Sequence, residues 1–390
     1  MPVALIALAI GAFGIGTTEF VMMGVLPETA DAFGVSIPTA GNLISAYALG
    51  VVVGAPTLTV LAARLPRKTM LLAMMAVFTV ANLGFAAVPN AELGVALRFL
   101  AGLPHGAFFG AGAVVAASLV GKGDRAKAVS MMFVGLTLAN VIGVPLGTLL
   151  AQQVGWRATF IAVAAIGLLA MLSVYRLIPD QGKPAPGSLR EEFAAFRRPQ
   201  VLLALAIVMF GFGGTFACLS YISPMLTDVT GYSPGSVTLL LALVGVGMTV
   251  GNLLGGWLAD RALMPSLCIG ILSLAALLAL FTVTGQHRAS AAVTIFCIGI
   301  AGFMIGPMMQ TRIMDKAGGS ASLVSAAVQS AFNIANSIGA YLGGVVIAGG
   351  LGLMSPNVVG ALLALLGLGL AGLSVLLDVR TSRAQPAAAH

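Results

Sequence analysis

The sequence predicts an all-α membrane protein whose twelve spans form two pseudo-symmetric six-helix halves. Three observations lead to that class. Hydrophobic residues make up 59% of the 390 and charged residues 8%, against roughly 25% charged in soluble proteins; with a mean hydropathy of +1.06, too few charges exist to cover a water-facing surface. The apolar residues come in continuous runs, without the short alternating strands of an outer-membrane barrel. Finally, residues 16–64 laid on residues 213–261 at an offset of 197 match at thirteen positions, among them Gly16/Gly213, Thr18/Thr215, Pro27/Pro224, Gly50/Gly247, Gly54/Gly251 and Arg64/Arg261. Such a repeat is how one large class of secondary transporters is built, with the solute site near the midplane between halves.

Runs of about 20 apolar residues, the length needed to cross a bilayer, place the spans at 4–26, 38–62, 69–88, 92–119, 128–153, 158–178, 201–223, 235–259, 264–285, 290–313, 321–349 and 356–378. They are numbered 1 to 12 below. The first run is too long for a signal peptide and lacks a basic leader, so it is expected to be retained as span 1. Residues 1–178 then form the first half, 179–200 a linker, 201–378 the second half and 379–390 a tail. The fifty glycines lie inside the spans, where small residues let helices approach. Gly102, Gly106 and Gly110, and again Gly247, Gly251 and Gly255, form packing stripes.

Lysine and arginine set the orientation. Sixteen lie on the face that carries both termini, only Arg157 and Arg288 lie on the other, and Arg98 falls within a span. That bias puts both termini in the cytoplasm of a cell bounded by an inner (cytoplasmic) membrane. It also accounts for the net charge of +7 without a nucleic-acid partner. In the linker, Leu189, Phe193 and Phe196 share one face of a short helix that could lie on the membrane surface. Cys218, Cys268 and Cys297 are isolated, and His105, His287 and His390 form no ligand cluster, so neither a metal nor a disulfide is expected. No phosphate-binding loop, zinc spacing or nucleophile elbow is present. An enzyme and an ATP-driven pump are therefore not expected, no catalytic residue is assigned, and no cofactor is implied; an ion or solute gradient would supply the energy.

Glu19 is the one acid well inside a span of the first half, seven residues before Leu26 and about 10 Å from the helix end. An ionised carboxylate there is unfavourable by several kcal/mol unless paired or wetted. One that can be neutral or charged suits a proton-coupled carrier; a structural ion pair or a backbone hydrogen bond is the alternative. Arg98, seven residues after Ala91 in span 4, lies at the same depth and is its natural partner. His105, two turns on, could relay protons or be a neutral, hydrogen-bonded histidine. The second half is almost free of intramembrane charge. Gln329, Asn333 and Asn336 make a polar stripe on span 11, span 7 offers Phe212, Phe216 and Tyr221, and span 10 offers Phe303, Met304, Met308 and Gln310. Together with Asn140 of span 5 these are the candidate solute contacts, although Met and Phe can equally face lipid or other helices.

Gly16-Thr17-Thr18-Glu19-Phe20 ending in Leu26-Pro27, then Gly34-Val35-Ser36, and Arg98-Phe99-Leu100-Ala101-Gly102 with Leu103-Pro104-His105-Gly106 are similar to motifs of the major facilitator superfamily. The resemblance runs from about residue 5 to 378. It is closest to the twelve-span drug:proton antiporter branch, of the arabinose-efflux-permease and chloramphenicol-resistance type. It implies proton coupling at Glu19 gated by Arg98, a monomer, and export of a drug, sugar or similar solute in exchange for protons. The alternatives are a sugar or nucleoside facilitator or symporter, and a membrane sensor that binds without transporting. Gly143-Val144-Pro145-Leu146-Gly147 loosely matches the antiporter motif that bends and packs span 5. The loop motif that latches the cytoplasmic side in relatives has lost its glycine and acid in the first half, where Arg64, Arg67 and Lys68 remain; Asp260 and Arg261 keep part of it in the second.

Overall fold

The computed structural model describes residues 3–61, 65–121, 124–180, 197–317 and 321–384, and all regular structure among them is helical. Arg64 and the linker positions Leu189, Phe193 and Phe196 lie outside these residues. Among the described residues, eleven helices are long and apolar enough to cross a membrane. One of them, Pro234–Thr284, has 51 residues, about 75 Å at 1.5 Å per residue, more than twice the roughly 30 Å of a hydrocarbon core. It carries spans 8 and 9, which makes twelve crossings. A break was expected near 260–263. The structure breaks the helix there, at one non-helical residue, Ala262 (φ −154°, ψ 65°), shortly before Pro265, whose ring cannot continue a regular helix.

The other spans end within a few residues of their expected limits. Span 1 is Ala4–Gly24 and leads into a short helix, Leu26–Phe33, which Gly34 closes at φ 64°. Spans 2, 3 and 4 are Ile37–Leu61, Arg67–Ala87 and Ala91–Ser118. Span 4 starts at Asn90, whose side chain accepts from the Leu93 N–H. Span 5 is interrupted: Arg125–Leu138, a π turn at Ala139–Gly143, then Val144–Val154. Pro145 has no N–H for the carbonyl one turn back, and the wider turn sits just before it. Only Gly155 joins spans 5 and 6 (Trp156–Leu177), at φ 114° and ψ 151°, which a side chain would strain. Span 7 is broken as Pro199–Gly211, Gly213–Leu219 and Ile222–Pro224, with a π turn at Met225–Val229. Spans 10, 11 and 12 are Arg288–Ala317, Ala321–Ala348 and Ser355–Ala384.

The repeat seen in the sequence has a packing counterpart. A Cβ on Gly50 would overlap the Phe99 carbonyl and one on Gly54 the Leu103 carbonyl, which fixes spans 2 and 4 backbone to backbone. In the second half Gly247 meets the Phe296 carbonyl and Gly251 the Ile300 carbonyl, between spans 8 and 10. All four correspondences keep the offset of 197. The stripe on span 4 is shorter than expected: Gly102 and Gly106 are packed against Tyr47 and Ala55, whereas Gly110 faces open space. Val80, Leu168, Leu272 and Leu362 are each more than half exposed, as lipid-facing positions should be.

The halves meet along spans 1 and 7, 2 and 11, and 5 and 8. Near the face opposite the termini, Gln152 donates to the Pro234 carbonyl at 2.8 Å, and Gly41 leaves no room for a Cβ beside the Tyr221 hydroxyl. Nearer the basic face, Ser330 donates to the Val52 carbonyl at 3.5 Å.

Candidate functional site

Arg98 is fully buried. Its Nη1 donates to Thr18 Oγ1 at 3.0 Å, its Nη2 to the Thr18 carbonyl at 3.0 Å, and its Nε to the Leu43 carbonyl at 3.4 Å. The guanidinium lies over the Tyr47 ring at 4.5 Å, with Phe160 at 5.6 Å and Phe85 at 5.8 Å, so an aromatic wall replaces part of its lost hydration. Thr18 in turn donates to Asn82 Oδ1 at 2.6 Å, and Asn82 Nδ2 donates to the Phe78 carbonyl at 2.8 Å. Spans 1, 2, 3 and 4 are thus joined by one buried polar network around a cation.

Glu19 is 6% exposed and faces the junction between halves. The expected ion pair with Arg98 does not form. Arg98 does reach the depth of Glu19, but the neighbouring Thr18, about 100° around the same helix, takes the guanidinium. The only ion-pair partner near Glu19 among the described residues is His105, whose Nδ1 lies 4.0 Å from Oε2. The same nitrogen shares a 3.2 Å hydrogen bond with the Tyr47 hydroxyl, and the ring packs against Phe109 with centroids 5.2 Å apart. From the second half, Asn336 of span 11 approaches Glu19. Neither Asn336 Nδ2 nor Oδ1 makes a hydrogen bond of ordinary geometry, and the residue is 1% exposed.

Beside Glu19 the halves touch through aromatic rings. Phe20 stacks on Phe216 (centroids 6.2 Å, 18°) and meets Phe303 at 6.1 Å. Phe212 packs on Phe216, Phe303 and Phe332 at 5.3, 5.4 and 5.0 Å. Asn140, on the π turn of span 5, donates to the Leu136 carbonyl at 3.2 Å. It lines a small, mainly apolar cavity with Phe20, Met23, Leu219 and Leu241. Asn333 donates to the Gln329 carbonyl at 3.1 Å and keeps a buried, unpartnered Oδ1. Phe212, Phe216, Asn140, Asn333 and Asn336 therefore belong to the central region. Tyr221 and Met304 are placed elsewhere. Tyr221 donates to the Ala340 carbonyl at 2.7 Å and seals spans 7 and 11 against span 2. Met304 turns towards Gly270 of span 9, Met308 is wholly within the apolar core, and Gln310 and Gln329 are half-buried.

Residues 8–340 match the Major Facilitator Superfamily. The chain belongs to this family. It is similar to the Inner membrane transport protein YdhP of Escherichia coli (strain K12), 44% identical over 382 residues covering 98% of this chain and 96% of the relative. It is also similar to a Chloramphenicol resistance protein of Streptomyces lividans, 33% identical over 92% of this chain and 91% of that one. Among solved structures, a D-xylose–proton symporter superposes with a TM-score of 0.71 at 17% identity, covering 94% of this chain and 96% of that chain, a likeness of fold. This chain is accordingly a multi-pass transporter of small solutes in an inner membrane.

Within that family fold, the motif residues divide by what they touch. Gly143 leaves no space for a Cβ beside Thr17, and Gly147 packs against Val21 and Thr159, so span 5 is held close to spans 1 and 6 on either side of Pro145. Lys68 pairs with Asp180 at 3.4 Å and lies over Tyr175. Arg67 opens span 3. Arg261 stacks on Trp257 at 3.8 Å, and Asp260 is exposed, with no ion pair to it among the described residues. Sequence reasoning did not single out Asn82, Tyr47 or Leu43, nor Phe160 as part of the Arg98 wall. The available signal was a lone amide in span 3 and a lone tyrosine in span 2.

Proposed function

We propose that this transporter exports small, uncharged or weakly amphipathic solutes from the cytoplasm in exchange for protons. The carrying observation is Glu19: a buried carboxylate at the junction of the two halves that no lysine or arginine among the described residues pairs with. Such a group is stable in lipid only when protonated, hydrated or paired, so its occupancy by a proton and the separation of the halves bear on one another. Protonation from outside removes a charge from the junction and favours the state that accepts solute from the cytoplasm. Solute binding against Phe212, Phe216 and the Asn333–Asn336 stripe then favours proton loss and the return. The aromatic wall, the unpartnered amides and the likeness to a Chloramphenicol resistance protein support a solute with an apolar body and a few hydrogen-bonding groups. The basic bias towards one face supports cytoplasmic termini. A membrane potential supplies about 2.3 kcal/mol per charge per 100 mV, and the chain works as a monomer.

The test uses proteoliposomes with an internal pH dye. Chloramphenicol-like drugs, pentoses and purine nucleosides are added to the wild type and to Glu19→Gln. A solute that moves protons in the wild type and not in the variant is the expected result. Solute flux without any proton signal would make the protein a facilitator and reject the reading.

A further inference from the structure

The buried network around Arg98 has a direction that its chemistry dictates. A guanidinium carries only donors, so Thr18 Oγ1 must accept from Arg98 Nη1 and has to give its own proton elsewhere. The acceptor at 2.6 Å is Asn82 Oδ1, and this orientation leaves Asn82 Nδ2 to donate to the Phe78 carbonyl at 2.8 Å. Asn82 and Thr18 are both fully buried. The chain of bonds therefore has one consistent polarity, running from Arg98 through Thr18 to Asn82 on span 3.

The fold does not require this network. At the offset of 197 that the packing glycines keep, Thr18 corresponds to Thr215, Arg98 to Ile295 and Asn82 to Ala279. The second half is built without the cation and the amide, and the Thr215 hydroxyl is left buried and unpartnered.

We propose that Asn82 is a positioning residue for proton coupling: by fixing the Thr18 hydroxyl as an acceptor it holds Arg98 away from the Glu19 carboxylate and leaves that acid able to gain and lose a proton. Among the described residues, the ionisable groups around the junction are Glu19 on span 1, Tyr47 on span 2, and Arg98 and His105 on span 4; span 3 contributes Asn82 and no charge there. Without the clamp, Arg98 keeps its bonds to the Thr18 and Leu43 carbonyls, but Nη1 loses its fixed acceptor and turns to Glu19, the next residue along span 1, which then stays ionised. The inference rests on Glu19 being the titrating group, so its test must not depend on finding a solute.

Infrared difference spectra of the full-length protein in lipid, recorded across a pH titration, report protonated buried carboxyl groups directly. The wild type should show a titrating carboxyl band that Glu19→Gln removes. Asn82→Leu, close in size but without an acceptor, should lose most of that band's amplitude. Thr18→Val breaks the same chain at its other link and serves if Asn82→Leu does not fold; the double variant should be no worse than either single one. A band of unchanged amplitude and midpoint in folded Asn82→Leu or Thr18→Val overturns the positioning role even if transport is proton-coupled. No titrating band in the wild type overturns both it and the role of Glu19. Proton flux that disappears with Glu19→Gln while the band survives in Asn82→Leu would retain the proposed function and reject this inference alone.

Discussion

The centres of the two halves stand in the same fold and carry opposite chemistry. In the first, Thr18, Asn82 and Arg98 satisfy one another around a buried charge. In the second, Thr215, Ala279 and Ile295 occupy the corresponding places, and Phe216 stands opposite Glu19. One half thus holds charge in a fixed polar frame, while the other presents aromatic faces and the unpartnered amide atoms of Asn333 and Asn336. Fully satisfied networks are rigid, and buried groups without partners are costly unless something else binds them. The contrast supports the proposed function, in which the first half handles the proton and the second contacts the solute.

The comparison breaks most visibly if the first centre can be rebuilt as the second. Arg98→Ile combined with Asn82→Ala should reduce proton-coupled transport to background. Because replacing the interacting members of a buried polar network together by apolar groups is often close to neutral, the unfolding stability in detergent should stay within about 2 kcal/mol of the wild type. A protein that no longer folds would show that the network is structural. Next in size are the glycines. Gly54→Leu and Gly251→Leu should each destabilise by about 1–3 kcal/mol through overpacking, to a similar extent because they fill equivalent contacts, whereas Gly110→Leu faces open space and should be silent in the same melts.

The two threonines sharpen the contrast further. Thr18→Val removes a hydroxyl that both gives and receives a bond, and should destabilise by about 1–3 kcal/mol. Thr215→Val removes an orphaned hydroxyl and should be neutral or stabilising by up to about 1 kcal/mol. Equal effects in thermal unfolding would erase the distinction. The smallest effect concerns Glu28, just beyond span 1, whose equivalent is the buried Met225. Burial holds its carboxyl above the usual range, against a backbone hydrogen bond that lowers it, and Asp31 adds a smaller upward push. The folded state therefore holds that proton more tightly than the unfolded one, and stability falls as pH rises from the ordinary carboxylate value through the folded one. Glu28→Gln should raise the melting temperature slightly at neutral pH and leave it unchanged under acid conditions where Glu28 is protonated in both states.

Span positions, the six-plus-six repeat and the depth of Glu19 and Arg98 were legible because each is a one-dimensional signal: apolar run length, periodic glycine, and distance in residues from a span end. What charged groups do laterally was not. Arg98 and Glu19 share a depth, yet a rotation of one residue along span 1 gives the guanidinium to Thr18. Asn82 contributes through a helix that is far from span 1 in sequence, so spacing alone does not connect them. Met304 and Tyr221 fell on plausible faces of their helices, but which neighbour each face meets is set by packing, and both turn away from the centre. Asn140 could be placed on span 5 but not at the π turn that aims it, because the register change there arises with Pro145 rather than from periodicity.

The single-residue corner at Ala262 bears on how this protein can be handled. Spans 8 and 9 are two helices that meet at a kink of one non-helical residue, so little slack peptide lies between them to be nicked by a protease or opened for a reporter. An inserted tag would have to unwind helix on at least one side, where insertion into a loose connection would only lengthen it.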